Sequence, residues 1–459
     1  MKDLTLGNLA RVCRGTYCGG PEEKDREVES IVTDSRQIQP GALFVAIPGQ
    51  RVDGHTFIED VVKKGAVAVL SERDLGPRPY PYIHVESSLQ AVKDIAEFYL
   101  ETLALPVVGI TGSVGKTSTK EVISAVLAQK YCVLKTEGNF NNELGLPLTV
   151  FRLRPEHQIA VLEMGISQFG EMSRLAKVAK PDTCVITNIG PCHLEFLGDR
   201  DGVFKAKTEI FQYMKERGCV ILNGDDDKLA AVGDVGGRKP VFFGMDSRSD
   251  VWADDLLPHG LTGTQCRIHM GDEAFSVRIP IPGRHMVYNA LAAAAVGRHY
   301  GLSAKEIQRG IESLEAIGGR LRMIQAGPLT VIDDCYNANP ISMKASLEVL
   351  KNAPGRKVAI LGDMGELGAD EIDMHREIGV CAASLGLDLC ICVGMLSCHM
   401  AAAARQEDPD LEVVYLEDLD GLLSLLPDLA GEGGTVLVKA SHFMGFEKVI
   451  AFFENIRQH

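Results

Sequence analysis

Short apolar runs alternate with helical patterns along the whole chain. In the first hundred residues, ALFVAI, AVAVLS and YIHVES have the length and composition of buried strands. The segment SLQAVKDIAEFYLETL has instead the spacing of an amphipathic helix. Alternating strands and helices are typical of α/β proteins, so we predict this fold class. The helix leads out of the first unit and places a domain boundary near residue 104.

The α/β pattern restarts twice. Strands are predicted at LPVVGI, IAVLEMG, TCVITNIG and GCVILNGD, and the alternation around Gly271 and Asp272 predicts a β-hairpin. A further restart begins with LTVIDD, and Asn339 followed by Pro340 marks the start of the next helix. The predicted domains are residues 1–104, 105–317 and 318–459.

Composition narrows the class of protein. A chain of 459 residues is long enough for about three domains. Its net charge of −15 argues against sequence-independent binding to the phosphates of nucleic acids. The start, MKDLTLGNLARVCRG, lacks the apolar core of a signal peptide, and no apolar run is long enough to span a bilayer. The twelve cysteines show no CxxC pair. We therefore expect a cytoplasmic protein with reduced thiols and no membrane span.

The segment GITGSVGKTSTK carries the clearest chemistry. A strand, a glycine-rich turn and a helix in this order gather backbone N–H groups around one point, where an anion fits. Lys116 can reach the terminal phosphates of a nucleotide, and the Thr117 hydroxyl can hold Mg²⁺. The usual phosphate loop has four residues between its glycines, whereas Gly112 and Gly115 enclose two. The motif alone leaves kinase, GTPase and ligase open.

Other nucleotide-binding classes lack their signatures. The glycines of LGDMGELG are spaced three apart, which fails the dinucleotide pattern G-x-G-x-x-G. A GTPase would need a guanine-binding NKxD segment, and the sequence has none. A phosphate-loop ATPase of another role remains an alternative.

The segment TGSVGKTSTKE resembles the ATP loop of the Mur ligases, peptidoglycan-precursor synthetases related to folylpolyglutamate synthetase. Further segments resemble motifs of that family in the same order and cover essentially all three predicted domains. They are TDSR, GALFVAIPG, EGNFNNELGLPLT, LEMGISQFGEM, TNIGPCHLEFLG, KAKTEIF, GRHMVYNALAAAAV, GGRL, DDCYNANP and LGDMGELG. The resemblance implies an N-terminal α/β domain for a UDP substrate, a central P-loop mononucleotide-binding domain and a C-terminal Rossmann-like domain.

The resemblance also implies an activity, namely ATP-dependent amide bond formation in peptidoglycan precursor synthesis. The motifs match the branch of the family that joins D-alanyl-D-alanine to UDP-N-acetylmuramoyl-tripeptide through an acyl phosphate. ATP and two Mg²⁺ ions are expected on this basis. A monomer is expected because an ATP-driven lid needs free domain motion. A ligase that adds a single amino acid is the alternative, although its DNPR and DYAHTP segments are absent.

Catalytic and metal-binding roles are implied for a small set of residues. Glu163 ends the strand AVLEMG, where ligand groups collect in open α/β sheets, and resembles a magnesium ligand. His193 follows the strand TCVITNIG and resembles the ligand of a second magnesium ion. Lys207 of KAKTEIF matches a lysine that CO₂ carbamylates. Taken without the family, each of these is equally compatible with a capped, solvated or structural residue. The implied catalytic set is Lys116, Glu163, His193 and Lys207, and the implied metal set is Thr117, Glu163, His193 and Lys207.

The remaining predicted site residues bind nucleotide or substrate. His285 and Asn289 lie one helical turn apart and can face one ligand. The Asp34 carboxylate, Ser35 hydroxyl and Arg36 guanidinium suit a uridine nucleotide, although a salt-bridged turn is the alternative. The predicted nucleotide set is Gly112, Ser113, Val114, Gly115, Lys116, Thr117, Ser118, Asn289, Arg320 and Asp334. The predicted substrate set is Asp34, Ser35, Arg36, Asn139, His285, Tyr336, Asn337, Asn339 and Ser441.

The chain departs from the family pattern near its C-terminal motifs. Cys335 stands where relatives often carry serine, beside the predicted nucleotide carboxylate. Ala440 and His442 stand in a segment where relatives often have a glycine-serine-arginine run. These departures concern the contacts predicted for the dipeptide.

Overall fold

The computed structural model describes residues 1–49 and 51–456. Within these residues the chain forms three sheets of five, nine and six strands, each covered by helices. The predicted α/β fold class is therefore confirmed. No helix in this described part of the chain is long and apolar enough to cross a membrane.

The N-terminal sheet has the strand order β1-β5-β4-β3-β2, and its strands are parallel except for β1. Its longest helix, α3, begins at the N-cap Ser87 and ends where Ala104 adopts a left-handed backbone. The buried Tyr99 of this helix donates its hydroxyl hydrogen to the Leu153 carbonyl, 2.8 Å away, in the next region. The elements are α1 (Leu6–Val12), β1 (Thr16–Cys18), β2 (Ser30–Val32), β3 (Ala42–Val45), α2 (Ile58–Lys63), β4 (Ala68–Ser71), β5 (Tyr82–His84) and α3 (Ser88–Leu103).

The central sheet has the order β14-β13-β12-β11-β10-β9-β6-β8-β7. Strands β6 to β12 are parallel, and β12 to β14 form an antiparallel arm. The elements are β6 (Val107–Thr111), α4 (Lys116–Leu127), β7 (Val133–Lys135), α5 (Gly145–Val150), β8 (Ile159–Glu163), α6 (Glu171–Ala179), β9 (Thr183–Ile186), α7 (Leu194–Leu197), α8 (Arg200–Thr208), β10 (Cys219–Asn223), α9 (Asp227–Ala230), β11 (Val241–Gly244), β12 (Val251–Pro258), β13 (Thr264–Met270), β14 (Glu273–Ile279), α10 (Arg284–His299) and α11 (Ala304–Glu312).

Strand β6 lies between β9 and β8, so the chain order reverses on either side of it. Ligands in open α/β sheets bind beyond the carboxyl ends of the strands at such a point. The predicted hairpin is confirmed, because Met270 pairs with Glu273 across a turn at Gly271. Helix α10 is apolar on nearly every side, since it is enclosed between the sheet and α4.

The C-terminal sheet has the order β15-β16-β20-β17-β18-β19, and β15 is its antiparallel edge strand. The predicted helix start at Asn339 and Pro340 is confirmed, because the Asn339 side chain accepts from the Ser342 amide. The elements are β15 (Arg322–Ala326), β16 (Leu329–Asp333), α12 (Pro340–Lys351), β17 (Lys357–Gly362), α13 (Glu371–Ala383), β18 (Leu389–Val393), α14 (Ser397–Glu407), β19 (Glu412–Leu416), α15 (Leu419–Ala430), β20 (Gly434–Lys439) and α16 (Glu447–Ile456).

Single turns of 3-10 helix complete the described secondary structure. They lie at Pro21–Glu23, Gly54–Phe57, Glu209–Tyr213, Gly260–Thr262, Gly368–Asp370 and His442–Met444. The boundary predicted at residue 104 falls between α3 and β6, and the boundary at 317 falls between α11 and β15. The domain limits themselves stay predictions.

Candidate active site

A cleft of about 1070 Å³ is bordered by residues of all three regions, with Leu89 and Lys93 of α3 contributed by the N-terminal one. Most residues predicted for nucleotide, metal or substrate binding border it. They are Ser113, Val114, Gly115, Lys116, Thr117, Ser118, Asn139, Glu163, His193, His285, Asn289, Arg320, Asp334, Tyr336, Asn337 and Asn339. Gly112, Lys207, Ser441 and the segment Asp34–Arg36 do not border it.

The glycine loop connects β6 to α4 at the switch point of the central sheet. Gly115 has a φ of +83° and is the N-cap of α4, which begins at Lys116. The first amides of this helix have no acceptor within it, so they can bind an anion. The Lys116 ammonium donates to the carbonyls of Gly112 at 2.9 Å and Ser113 at 3.3 Å. The lysine thus lies over the loop where phosphates would bind.

The segment after β9 supports this loop. The Thr187 hydroxyl donates to the Val114 carbonyl at 2.6 Å, and the Asn188 side chain both donates to that carbonyl and accepts from the Val114 amide. A Cβ on Gly112, which has a φ of +146°, would lie 1.9 Å from the Thr187 hydroxyl oxygen. Only glycine therefore fits at this position.

Glu163 ends β8 and borders the cleft with a side chain that is nearly fully buried. Its Oε1 accepts from the Asn141 amide group at 2.8 Å, whereas its Oε2 is buried without a hydrogen-bond partner. The ammonium of Lys120 lies 3.9 Å from Oε2 and is paired with Glu121 at 3.0 Å. Sequence motifs did not single out Lys120, although a lysine on the buried face of a helix is a signal of such a role.

Lys207 lies in α8 and has no exposed surface. Its Nζ is buried without a hydrogen-bond partner. Burial lowers the pKa of this amine to about 8, with a smaller raising effect of Cys192 and a lowering effect of Lys116. A buried amine without a partner is chemically suited to modification, since its neutral form is a nucleophile.

His193 comes just before α7 and has a left-handed backbone with a φ of +53°. Its Nδ1 lies 2.6 Å from Oε2 of Glu366, which belongs to the C-terminal region, although the angle is not that of a hydrogen bond. This imidazole lowers the pKa of the Glu366 carboxyl. Glu366 belongs to the family-like segment LGDMGELG, but its contact with His193 could not be predicted because the two residues lie far apart along the chain.

Asn289 and His285 project from the first turns of α10 and both border the cleft. The Asn289 Oδ1 accepts from the Thr119 hydroxyl of α4 at 2.9 Å, which ties α10 to the phosphate-loop helix. Burial lowers the pKa of His285 from 6.5 to about 4, while Asp334 opposes and Lys439 adds to this effect. His285 is therefore a neutral imidazole at physiological pH.

We expect His285 to make the protein less stable on acidification. Its folded-state pKa of about 4 lies below the ordinary 6.5, so the unfolded chain binds more protons between these values. The stabilisation is fully present above pH 6.5 and is lost as the pH falls toward 4, by up to about 3 kcal/mol. Urea unfolding at neutral pH and at about pH 4.5 should show a smaller loss for His285→Gln than for wild type. Equal losses would contradict this assignment.

Arg320 and Tyr336 form a stack at one wall of the cleft. The Arg320 guanidinium carbon lies 4.3 Å from the centre of the Tyr336 ring. The His442 ring stacks on the same Tyr336 ring, with the ring centroids 5.8 Å apart. A guanidinium held over an aromatic face gains cation–π energy and is pre-positioned. His442, one of the three residues at which the sequence departs from the family pattern, thus packs against a wall of the site.

Asp334 borders the cleft, but its carboxylate already accepts hydrogen bonds from other groups of the protein. Oδ2 accepts from the Lys439 ammonium and from the Ser346 hydroxyl, each at 2.5 Å, and Oδ1 accepts from the Leu321 amide at 3.2 Å. The Lys439 side chain is almost completely buried, so the ion pair is well shielded from water. This pair connects β20 to the junction between the central and C-terminal regions.

The predicted substrate residues fall into two groups. Asn139, Asn337 and Asn339 border the cleft. Ser441 is buried, and its hydroxyl accepts from the Gly365 amide at 2.9 Å. The Asp34–Arg36 segment lies on the N-terminal domain, where Arg36 pairs with Asp34 at 2.7 Å and lowers the pKa of that carboxyl to about 2. The pair forms a salt-bridged turn, and the uridine-nucleotide role of this segment stays a prediction.

Comparison with known families matches most of the chain. Residues 27–99 match the Mur ligase family catalytic domain, residues 110–297 match the Mur ligase middle domain, and residues 319–442 match the Mur ligase glutamate ligase domain. The three matched segments follow the three sheets in order along the chain.

Full-length relatives and solved structures agree with these matches. The UDP-N-acetylmuramoyl-tripeptide--D-alanyl-D-alanine ligase of Bacillus subtilis (strain 168) is 36% identical and covers 97% of each chain. The ligase of the same name from Escherichia coli (strain K12) is 35% identical and covers 98% of each. The structure of MurF from Acinetobacter baumannii superposes with a TM-score of 0.88 at 32% identity over 98% of both chains. That of MurF ligase from Thermotoga maritima in complex with ADP gives 0.83 at 31% identity, over 94% of this chain and 98% of that one. The chain therefore belongs to the Mur ligase family.

Proposed function

We propose that this enzyme is an ATP-dependent ligase that joins D-alanyl-D-alanine to UDP-N-acetylmuramoyl-tripeptide. The observation that carries this proposal is the glycine loop with Lys116, which opens into a cleft bordered by all three regions. Such a cleft brings a nucleotide and two further substrates to one place. The full-length likeness to ligases of this name supports the choice of substrates.

The chemistry requires activation of a carboxylate, which is a poor electrophile. ATP phosphorylates the tripeptide carboxylate, and the amine of the dipeptide then displaces phosphate through a tetrahedral intermediate. Lys116 and the first amides of α4 bind the phosphates, so they offset the charge of two anions brought together. Tyr336 and Arg320 of the C-terminal region form a stacked aromatic and guanidinium wall of the same cleft.

The residues fit Mg²⁺ at the cleft. The unpartnered Oε2 of Glu163 is a buried anionic oxygen, and such oxygens are the ligands that Mg²⁺ prefers. Glu163, Thr117 and His193 would hold the metal together with nucleotide phosphates. When bound, Mg²⁺ supplies charge neutralisation at the transferring phosphoryl group.

We also propose that CO₂ carbamylates Lys207. A buried ammonium without a partner is costly, and carbamylation replaces it with a group that can accept hydrogen bonds or bind a cation. We expect a carbamate signal in ¹³C NMR of protein equilibrated with ¹³C-bicarbonate, and loss of that signal in Lys207→Met. Lys205→Met, a change in the same helix at a more exposed lysine, is the matched control and should retain it. An identical spectrum for wild type and Lys207→Met would contradict the proposal.

The substrate proposal is tested by product analysis. Purified enzyme, ATP and Mg²⁺ are incubated with UDP-N-acetylmuramoyl-tripeptide, with and without D-alanyl-D-alanine, and mass spectrometry looks for the pentapeptide product. The product should form only when all substrates are present. Product formation with a single amino acid in place of the dipeptide would instead assign the chain to another activity of the family.

The place and assembly state of the enzyme are part of the same proposal. We propose that the enzyme is cytoplasmic, because its proposed substrates are ATP and a UDP-linked peptide. We also propose that it is a monomer. Closure of the C-terminal domain over the nucleotide would exclude water from the acyl phosphate. Sedimentation velocity should show one species of 49.7 kDa, and a concentration-dependent dimer would contradict the monomer.

A further inference from the structure

The contact between His193 and Glu366 connects two regions that sequence places far apart. His193 belongs to the central region and Glu366 to the loop that follows β17. Both have left-handed backbones, with φ values of +53° and +60°, which residues with a Cβ rarely adopt. Uncommon backbone conformations that meet at one ion contact are typical of functional sites.

The loop that carries Glu366 is held in place by its own domain. The amide of Met364 donates to Nε2 of the buried His375 at 3.0 Å, and the amide of Gly365 donates to the Ser441 hydroxyl at 2.9 Å. The other ring nitrogen of His375 donates to the Glu371 carbonyl at 2.7 Å. The two residues before Glu366 are therefore fixed by buried groups, although the Glu366 side chain is itself half exposed.

The same loop is seated against the central region. A Cβ on Gly368, which has a φ of +71°, would lie 3.4 Å from the backbone nitrogen of Glu195 in α7. This close approach places the turn Gly368–Asp370 directly beside the helix that His193 precedes. The carboxylate of Glu366 thus reaches His193 only while the C-terminal domain is docked in this position.

We propose that Glu366 is a positioning residue that orients His193 for metal binding when the C-terminal domain is docked. Histidines that bind metals commonly donate their second ring N–H to a carboxylate, which fixes the tautomer and raises the basicity of the ligating nitrogen. The Glu366 carboxylate lies 2.6 Å from Nδ1, and its negative charge favours the tautomer with a proton on that nitrogen, which leaves the lone pair of Nε2 for a metal. The docked domain therefore controls how strongly the central domain retains its metal. This inference rests on the proposed function only in naming His193 as a metal ligand.

The opposite role is a latch, in which Glu366 competes with the metal for His193. The two roles differ in the sign of one measurement, the affinity for metal after Glu366 is changed. A positioning residue strengthens metal binding, and a competing latch weakens it.

The test measures Mn²⁺ binding by electron paramagnetic resonance in the presence of ADP. We expect Glu366→Gln to weaken Mn²⁺ binding by about tenfold or more, in the range found for carboxylates that support a ligating histidine. Affinity for ADP without metal should stay unchanged. Glu377→Gln is the matched control, because Glu377 is equally exposed and pairs with Lys344 in the same domain. Equal or tighter Mn²⁺ binding by Glu366→Gln would overturn the proposal.

A second readout is independent of any loss of folding. ¹⁵N NMR of the His193 imidazole in the intact wild-type enzyme should show the tautomer protonated at Nδ1, and Glu366→Gln should shift this population. A ring protonated mainly at Nε2 would overturn the proposal. The failure of the proposed function has a different signature, namely normal Mn²⁺ and ADP binding by wild type without any ligated product.

Discussion

Lys116→Ala is expected to lower ATP-dependent phosphate release by about 10³-fold. In the structure, the Lys116 ammonium lies over the glycine loop and donates to the Gly112 and Ser113 carbonyls. Lys116 also opens helix α4, whose first amides can bind the phosphates. Its removal leaves the developing charge of phosphoryl transfer without its main protein cation. The loss should appear in kcat as well as in nucleotide affinity, because the charge grows in the transition state.

The control for this change is Lys344→Ala. Lys344 is a half-exposed lysine of α12 that pairs with Glu377, so this variant loses the same charge away from the loop. We expect its phosphate release to stay within about twofold of wild type, since exposed ion pairs contribute little. A rate for Lys116→Ala within about tenfold of wild type would contradict the assignment of Lys116 to phosphate binding.

Gly112→Ala is expected to impair both folding and nucleotide binding. The new Cβ would lie 1.9 Å from the Thr187 hydroxyl oxygen, and the φ of +146° is accessible to glycine almost alone. To relieve this clash, either the glycine loop or the segment after β9 must move. That segment also donates the Thr187 hydrogen bond to the Val114 carbonyl. We expect a loss of about 3 kcal/mol in unfolding free energy and no measurable ADP binding.

Gly237→Ala separates backbone strain from this collision. Gly237 also has a positive φ, +83°, but a Cβ there has no neighbour within 4 Å. Urea unfolding should show a loss of about 1 kcal/mol for Gly237→Ala, and isothermal titration should show unchanged ADP affinity. A similar stability for the two variants would mean that the collision with Thr187 is relieved without cost, contrary to the geometry.

Hydrophobic periodicity predicted the α/β class, the hairpin at Gly271 and the helix start at Asn339, because these depend on local spacing and local capping. The antiparallel pairing of β12 with β13 and the antiparallel edge strand β15 could not be predicted in this way. Their direction is set by which strands meet across the fold, so alternation along the chain does not determine it. Strand order is likewise a property of tertiary packing rather than of any one segment.

In the candidate site, too, features that are local in sequence could be predicted and features that depend on tertiary packing could not. The phosphate loop could be predicted, since strand, glycines and lysine are contiguous in sequence. The contact of Glu366 with His193 could not, because the two residues lie in separate domains and meet only through docking. Lys120 was missed although it lies on the buried face of α4, because its neighbour Glu163 belongs to a separate strand and the contact is visible only in the fold. Asp334 was predicted at the nucleotide, and its pairing with Lys439 became visible only once β20 was placed beside β16.

The most direct test of the proposed mechanism follows ¹⁸O from the tripeptide carboxylate into the released phosphate. UDP-N-acetylmuramoyl-tripeptide labelled with ¹⁸O in its terminal carboxylate is incubated with the enzyme, ATP, Mg²⁺ and D-alanyl-D-alanine, and the released phosphate is analysed by mass spectrometry. An acyl phosphate route places one labelled oxygen in each phosphate that accompanies an amide bond. The acyl phosphate mechanism predicts this transfer together with dependence on the dipeptide. Unlabelled phosphate, or release that is the same without the dipeptide, would contradict it.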